Sequence, residues 1–595
     1  MNQGQILIVP SFEPGRGGGH LCRCITLVND LRAMNKKAFL VLSAKTEDVE
    51  NIFNSMSFDP QWRITDEDVR RVAADGVDFI ILDRYKTQDD ELPRWKEIAP
   101  VIGIDEGGKS RDSFDFLIDI LIPEKLSRPR ANIIDPALLK FPAKPLMAKK
   151  AEGGILKVLV AFGQEDSANL GVTVAQALSG INKSNLDITL LKGSLAKKIT
   201  ETFPNVRVIE KIPQLSEHLD EYDLVITHYG ITAYEALYNH TTVLLVPPTD
   251  HHAKLAGTAG FISIKKLFLL KILLIKFFFK IMKKKSETLA EWYRLREGNR
   301  LAVLCGELDP KVSRRCPVCG EKEPPNSVQR QRERTYRRCT NCGIIYMDRT
   351  CPPPFEYTRE YFYETYAQQY GKTYLEDFPN IKAVGKRRLK RINSYLPKPG
   401  EEEIRKLLDI GCAYGPFLAA AADEGFSVSG IDPWEGAVNY VNEELHIPAV
   451  QGFFGDCPYP ADPPFDVITL WLVLEHFPDC KAALAKIKDI LKPGGILAFS
   501  TPSFSGISGR KSIGKFLEAS PADHWTVWSP SVCKKNLEQM GFKVKKIIIT
   551  GHHPERFPAF GKMAKKSKGI AYLLLLLISK LFGLGDTFEV YAEKK

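Results

Sequence analysis

The chain has 595 residues, 44% hydrophobic and 26% charged, with 38 prolines and 12 cysteines. At roughly 150 residues per domain that means several compact units, and the composition excludes a collagenous, coiled-coil or wholly disordered protein. The net charge of +10 suggests nucleic acid, but Ile264 to Lys285 carries eight Lys and no acid, so the basicity is local. Most cysteines lack metal-ligand spacing, and so large a chain argues against a disulfide framework. The N-terminus runs straight into a strand-like MNQGQILIVPSF with no basic, long apolar and cleavage regions, which points to the cytoplasm.

From residue 1 to 262, short apolar runs alternate with helical patterns: Gln5 to Pro10, Ala38 to Ser43, Asp78 to Asp83, Val101 to Asp105, Leu156 to Phe162 and Leu224 to Thr227. This is the sequence form of α/β layers with parallel sheets. A basic, proline-containing stretch, Lys140 to Gly154, separates two Rossmann-like lobes, 1–145 and 155–262.

The first strand enters Gly15-Arg16-Gly17-Gly18-Gly19-His20-Leu21-Cys22-Arg23-Cys24, before a helical pattern from Ile25 to Met34. Glycines let backbone approach a ligand, and the helix N-terminus offers free N–H groups to an anion. By itself such a loop is equally a plain turn. In the second lobe, the run from Thr227 to Ala236 contains Gly230, Thr232 and Glu235. There Thr232 can cap or bind phosphate and Glu235 can hold ribose hydroxyls. Gly-His-x-x-Arg together with Gly-x-Thr-x-x-Glu resembles the UDP-sugar hydrolases of pseudaminic acid biosynthesis, relatives of the glycosyltransferase B fold. The resemblance implies a UDP-linked sugar between the lobes. His20 would be catalytic, assisting water attack at the anomeric carbon. Gly18, Gly19 and Arg23 would form the first-lobe wall, and Gly230, Thr232 and Glu235 would contact the nucleotide. Asp83-Arg84-Tyr85 and Asp105-Glu106 stand where that family tends to show Asp-His-Tyr and Asp-Asp, and His251-His252 replace a segment that often carries Gln or Asn. The two histidines read as helix-capping residues.

Residues 263–312 form a basic apolar helical segment and linker. Leu267 to Met282 holds 13 apolar residues among 16. Its three lysines would cost about 8–10 kcal/mol at a helix centre, against about 4–8 gained, so it should not span a bilayer. It can lie along an anionic membrane surface through 264–285, or pack on the second lobe with snorkelling lysines.

Cys316-Pro-Val-Cys319 and Cys339-Thr-Asn-Cys342 are two C-x-x-C knuckles nineteen residues apart, the spacing of a structural zinc ribbon over 313–350. Arg330, Arg332, Arg334, Arg337 and Arg338 lie between them, as a solvated hairpin face or an RNA contact. An aromatic connector occupies 351–400.

Residues 401–595 begin with Asp409-Ile-Gly411-Cys-Ala-Tyr-Gly415, then a helix from Pro416, a strand ending at Asp432, Phe465 to Trp471 leading to Glu475-His476, and Leu491-Lys-Pro-Gly-Gly. A glycine turn and a strand-end acid suit a ribose-bearing cofactor. In this order the parts resemble the class I S-adenosylmethionine-dependent methyltransferases. By that resemblance Asp409, Gly411 and Gly415 flank the methionine part, Asp432 holds ribose, Phe454 to Asp456 lie near adenine, and Trp471 to Glu475 border the methyl group. Phe588 to Ala592 fits the last antiparallel strand. Leu573 to Ile578 reads as core. With its four-Cys ribbon this half resembles zinc-containing methyltransferases of nucleotide-linked sugars, in which His476, His524 or a connector Tyr could serve as base.

The sequence thus predicts an α/β protein of two glycosyltransferase-B-like lobes, a zinc ribbon and a methyltransferase domain. S-adenosylmethionine and structural zinc are the expected cofactors, and a nucleotide-linked sugar the expected substrate. The alternatives are a non-catalytic nucleotide-sugar module beside the methyltransferase, or a zinc-ribbon RNA methyltransferase, which the near-neutral remainder of the chain disfavours.

Overall fold

The computed structural model describes residues 4–12, 19–122, 130–143, 155–163, 166, 168–181, 185–193, 202–210, 212–270, 276–322, 327–350, 364, 366–367, 371–397, 404–558 and 569–595. They divide into an N-terminal unit, Met1–Val312 with Arg330–Arg334 and Arg349–Cys351, and a C-terminal unit, Ser313–Gln329, Thr335–Asp348 and Pro352–Lys595.

The N-terminal unit contains two parallel sheets. In the first, Arg63–Ile64, Lys37–Val41, β1 (Gln5–Pro10), β2 (Val77–Asp83), β3 (Val101–Ile104), Phe116–Asp119 and Ile133–Ile134 lie side by side in that order. Every residue of β1 is buried, because helices cover both faces of a parallel sheet, which is why these strands read as continuous apolar runs. The second sheet orders Val206–Ile209, Leu186–Leu191, Leu156–Ala161, β4 (Leu224–Thr227) and Thr242–Leu245.

Helix α1 (Gly19–Ala33) starts six residues before the pattern beginning at Ile25. Leu21, Cys24, Ile25, Val28 and Leu31 form its buried stripe, and the polar His20 and Arg23 hid the first turns from a hydrophobic count. Helix α2 (Ile231–Tyr238) follows β4 directly.

The described part of 263–312 packs within this unit. Helix α3 (Lys276–Tyr293) buries Met282, Ser286 and Leu289, and Ser286 Oγ accepts from Val243 N at 3.1 Å. Helix α4 (Arg300–Glu307) returns to the first lobe, where Leu301 and Cys305 join the core that holds Leu27 and Leu31 of α1.

In the C-terminal unit, helix α5 (Tyr374–Tyr395) is opened by a reciprocal Thr373–Glu376 capping box. It precedes a seven-stranded sheet of β5 (Lys406–Ile410), β6 (Ser427–Asp432), β7 (Ala449–Gln451), β8 (Phe465–Trp471), β9 (Leu491–Pro502), β10 (Phe542–Thr550) and β11 (Thr587–Lys594). The spatial order is β7-β6-β5-β8-β9-β11-β10, parallel except for β11, which runs antiparallel to both neighbours. Helix α6 (Pro416–Asp423) follows β5.

Two expectations fail here. The arginines between the knuckles do not make one solvated or RNA-facing patch: Arg330 and Arg337 are buried, and Arg337 Nε donates to buried Asp348 at 2.6 Å. Leu573 to Ile578 is not core. It lies in helix α7 (Ile570–Leu581), which turns Leu573, Leu574, Leu577 and Ile578 to solvent and buries only Leu575 and Ser579. A run of five leucines cannot report which face is covered, since every face of such a helix is apolar.

Candidate functional site

The first cluster is built at the C-terminal ends of β1, β2 and β3. His20 and Arg23 lie one turn apart on α1, so their side chains share a face. Asp83 ends β2. His20 Nδ1 lies 2.7 Å from Asp83 Oδ1, and Arg23 donates to both Asp83 oxygens, at 2.7 and 2.5 Å, and to Asp105 at 2.7 Å. Burial alone would raise Asp83, but Arg23 and His20 hold it well below the usual carboxylate range. Burial would likewise lower Arg23, and the two carboxylates keep it firmly charged. In sequence Asp83 and Asp105 were named only beside the departures Arg84 and Glu106 and given no role, yet they are the partners that position His20 and Arg23. Gly19 opens α1, whereas Gly18 lies outside the described residues.

A chain of contacts joins this cluster to the second lobe. Asp105 accepts from Ile120 N and Leu121 N at 2.7 and 2.9 Å, and Ile122 O accepts from Tyr229 Oη at 3.1 Å, one residue before Gly230. Gly230 is the N-cap residue of α2 and Thr232 lies in its first turn. Glu235 follows one turn on, its carboxyl pushed up to about 7 by burial. His228 ends this turn on the other side, stacked on Phe162 with ring centroids 6.1 Å apart and lowered to about 4 by burial. It is a neutral imidazole at neutral pH, a feature that no sequence signal marked. The helix cap expected of His251 and His252 belongs to Thr249, whose hydroxyl accepts from His252 N.

In the C-terminal unit the four cysteines converge. Cys316 and Cys342 sulfurs are 3.6 Å apart, as are Cys319 and Cys339, and all four lie within 4.8 Å of one another. The two knuckles repeat one hydrogen-bond pattern: Cys316 N to Glu321 O and Gly320 N to Cys316 O, then Cys339 N to Ile344 O and Gly343 N to Cys339 O, each 2.9 Å. Four thiol sulfurs held at this distance have the geometry to share one tetrahedral ion.

The third cluster lies at the C-terminal edge of the parallel strands. Gly411 and Gly415 have φ of +73° and +74°, the left-handed region that glycine occupies without strain. Asp409 is buried, raised to about 8 by burial, and accepts from Thr469 Oγ1 at 2.6 Å. Asp432 ends β6, receives Ala413 N and Trp434 N at 2.8 and 3.0 Å, and is raised to about 6 by burial. Phe454 follows β7 by three residues. It is buried against Tyr459 and Phe477, while its neighbour Phe453 is 63% exposed; a one-residue difference in an irregular segment changes which ring is buried. Asp456 is exposed. Arg388 lies over the Trp471 ring, 3.9 Å from its centroid, and Phe417 meets the same ring with centroids 5.1 Å apart.

Beside Trp471, the loop after β8 carries Glu475 and His476. His476 Nδ1 lies 2.9 Å from Asp523 Oδ2, and its ring meets His524 edge-on with centroids 4.8 Å apart. Burial would lower His476, but Asp523 and Glu475 raise it, while Asp523 falls to about 2 as the charge of His476 outweighs burial. Glu475 is fully buried and pushed up to about 7. One ligand atom from each of Glu475, His476 and His524 lies within 4.8 Å of the others, close enough to share a cation. Among the described residues, Trp471 Nε1, Ser500 Oγ and both Glu475 oxygens are buried without a hydrogen-bond partner. Buried polar groups left in this state are costly; Trp471 and Ser500 are register partners on the neighbouring strands β8 and β9, and Glu475 follows four residues after Trp471.

Residues 381–547 match the family described as methyltransferase domain. The chain is 27% identical over 191 residues to a ubiquinone biosynthesis O-methyltransferase of Thiobacillus denitrificans, covering 30% of this chain and 80% of that protein. It is 21% identical over 261 residues to uncharacterized protein MJ1062 of Methanocaldococcus jannaschii, covering 39% of this chain and 54% of that one. Among solved structures, a SAM-dependent methyltransferase from Archaeoglobus fulgidus aligns with 20% identity and a TM-score of 0.27, over 39% of this chain and 98% of its own. The strand order with its reversed β11, the glycine turn, the strand-end Asp432 and the family match together make the C-terminal unit the site of a class I S-adenosylmethionine-dependent methyltransferase domain.

Proposed function

We propose that the protein is a bifunctional enzyme of sugar or surface-glycan biosynthesis, in which the methyltransferase modifies a sugar and the N-terminal unit binds and hydrolyses a nucleotide-linked sugar. The observation that carries the second activity is the His20–Asp83 pair. With Nδ1 committed to Asp83, His20 presents Nε2 as a base. Water loses its proton to Nε2 as its oxygen bonds to the anomeric carbon, and the anomeric C–O bond breaks with its electron pair leaving on UDP. Thr232 and Glu235 hold the nucleotide.

In the methyltransferase, Asp432 has one backbone donor on each oxygen and acceptor capacity left on both for ribose hydroxyls, and the unpartnered Trp471 Nε1 and Ser500 Oγ at the ends of β8 and β9 would suit a polar ligand. S-adenosylmethionine, when bound, supplies an electrophilic methyl group. Asp432 would hold its ribose, and Gly411 and Gly415 let the backbone pass close. Asp523 fixes the His476 ring so that Nε2 can take the proton of an acceptor hydroxyl, with His524 beside it. The four cysteines would hold one structural zinc. Phe277, Phe278 and Ile281 are exposed on α3 among Lys280, Lys283 and Lys284, which supports a peripheral membrane contact through 264–285.

A panel of UDP-sugars incubated with the protein and labelled methyl donor, read by mass spectrometry, tests the assignment. Release of UDP from one sugar and label on a sugar product are the expected results. Label transferred to RNA and to no sugar would replace the reading with the RNA alternative.

A further inference from the structure

Helix α7 combines three features not accounted for by the methyltransferase fold. Ile570, Leu573, Leu574, Leu577, Ile578 and Leu581 recur at helical spacing on one face and are all exposed, Ile570 at 79%, Leu577 at 52% and Leu581 at 72%. Phe582 extends the patch at 68%. A solvated face of this kind is unusual on a soluble surface and marks an interaction site. The opposite stripe anchors the helix: Leu575 is buried, and Ser579 Oγ lies 2.7 Å from His552 Nδ1.

Charge decides what covers this face. Between Arg556 and Asp586 the sequence has five lysines, 562, 565, 566, 568 and 580, and no acid. Arg556 is itself paired with Asp586. An apolar helix face in a uniformly basic stretch suits lipid tails beneath anionic headgroups, whereas a second copy would bring like charges together. The helix has 12 residues, about 18 Å at 1.5 Å per residue, which is too short to cross a hydrocarbon core of about 30 Å.

We propose that α7 docks the C-terminal unit in the plane of an anionic lipid surface. The sheet gives this placement a consequence. Helix α7 leads into the start of β11, where Thr587 pairs with Pro502 at the C-terminal end of β9. It therefore lies at the same sheet edge as the cofactor cluster and Glu475, and docking brings a membrane-borne acceptor within reach of that edge. This consequence rests on the methyltransferase reading, but the docking itself does not.

The test is co-sedimentation of the full chain with phosphatidylglycerol-containing vesicles and with pure phosphatidylcholine vesicles. Wild type should sediment with the anionic vesicles, at least tenfold more than with the zwitterionic ones. Leu573→Glu/Leu577→Glu should reduce that retention at least tenfold while S-adenosylmethionine affinity stays unchanged. A conservative Leu577→Trp variant should show a blue-shifted difference fluorescence on adding anionic vesicles. No retention of wild type, no spectral shift, or a dimer that the double variant dissociates without any vesicle binding would each overturn the proposal. So would retention unaffected in the α7 variant but lost in Lys280→Glu/Lys283→Glu/Lys284→Glu, which would give the membrane contact to α3 alone.

Discussion

Asp83 holds His20 through a 2.7 Å contact to Nδ1 and, with the same carboxylate, neutralises Arg23. One buried acid thus orients the candidate base and satisfies the charge beside it. A carboxylate bonded to one imidazole nitrogen selects the tautomer and leaves the other nitrogen free.

If hydrolysis depends on that pair, His20→Ala should abolish UDP release, and Asp83→Asn should lower turnover about 100-fold or more. UDP affinity should stay within a few fold in both, because the loss falls on the transition state. Asp83→Asn also leaves Arg23 with Asp105 alone, at a cost on the order of 3 kcal/mol in stability. Steady-state kinetics and thermal melts read both effects, and undiminished turnover in His20→Ala would remove its catalytic role.

Glu235, raised to about 7 by burial, should make UDP binding pH-dependent. As a carboxylate it accepts ribose hydroxyls on both oxygens; protonated, it loses part of that capacity. Affinity should rise between about pH 6 and 8, and Glu235→Gln should flatten the profile and weaken binding at pH 8. Calorimetry across that range checks it. A profile that falls with pH contradicts the assignment.

Asp432→Ala should weaken S-adenosylmethionine binding by on the order of 1.5–3 kcal/mol, the worth of charged hydrogen bonds to ribose. His20→Ala should leave that affinity unchanged. Equal affinity of wild type and Asp432→Ala would remove Asp432 from the cofactor site.

Protein prepared without chelators should contain about one zinc per chain. Cys316→Ser should lose the metal and lower the melting temperature. The cluster shares a core with Ile344, Tyr346 and the methyltransferase strands, so the loss should be felt in that unit. Metal analysis finding no zinc in the wild type would remove the ribbon assignment.

Glu475 links pH to stability. Its folded value, about 7, exceeds the unfolded 4.5 because burial penalises the charge. The folded state therefore binds more proton between these values, and this group's contribution falls as pH rises through about 4.5 to 7. Glu475→Gln should gain stability relative to wild type across that window, by at most about 3 kcal/mol. Denaturant melts at pH 5 and pH 7.5 measure the difference. A constant difference would show that Glu475 titrates normally.

The sequence by itself determined the parallel α/β layers, the paired knuckles and the chain order of the methyltransferase elements, because these are written in local periodicity and short spacings. Phe465–Trp471 and the strand ending at Asp432 could be read to the residue. Contacts between distant positions were decided only by tertiary structure. Asp83 meets His20 across 63 residues, and Asp523 meets His476 across a separate element, so no local pattern could pair them. Burial direction was equally illegible where composition is uniform. Leu573 to Ile578 is apolar on every side, and only the burial of Leu575 and the Ser579–His552 contact show which stripe is covered and which remains exposed.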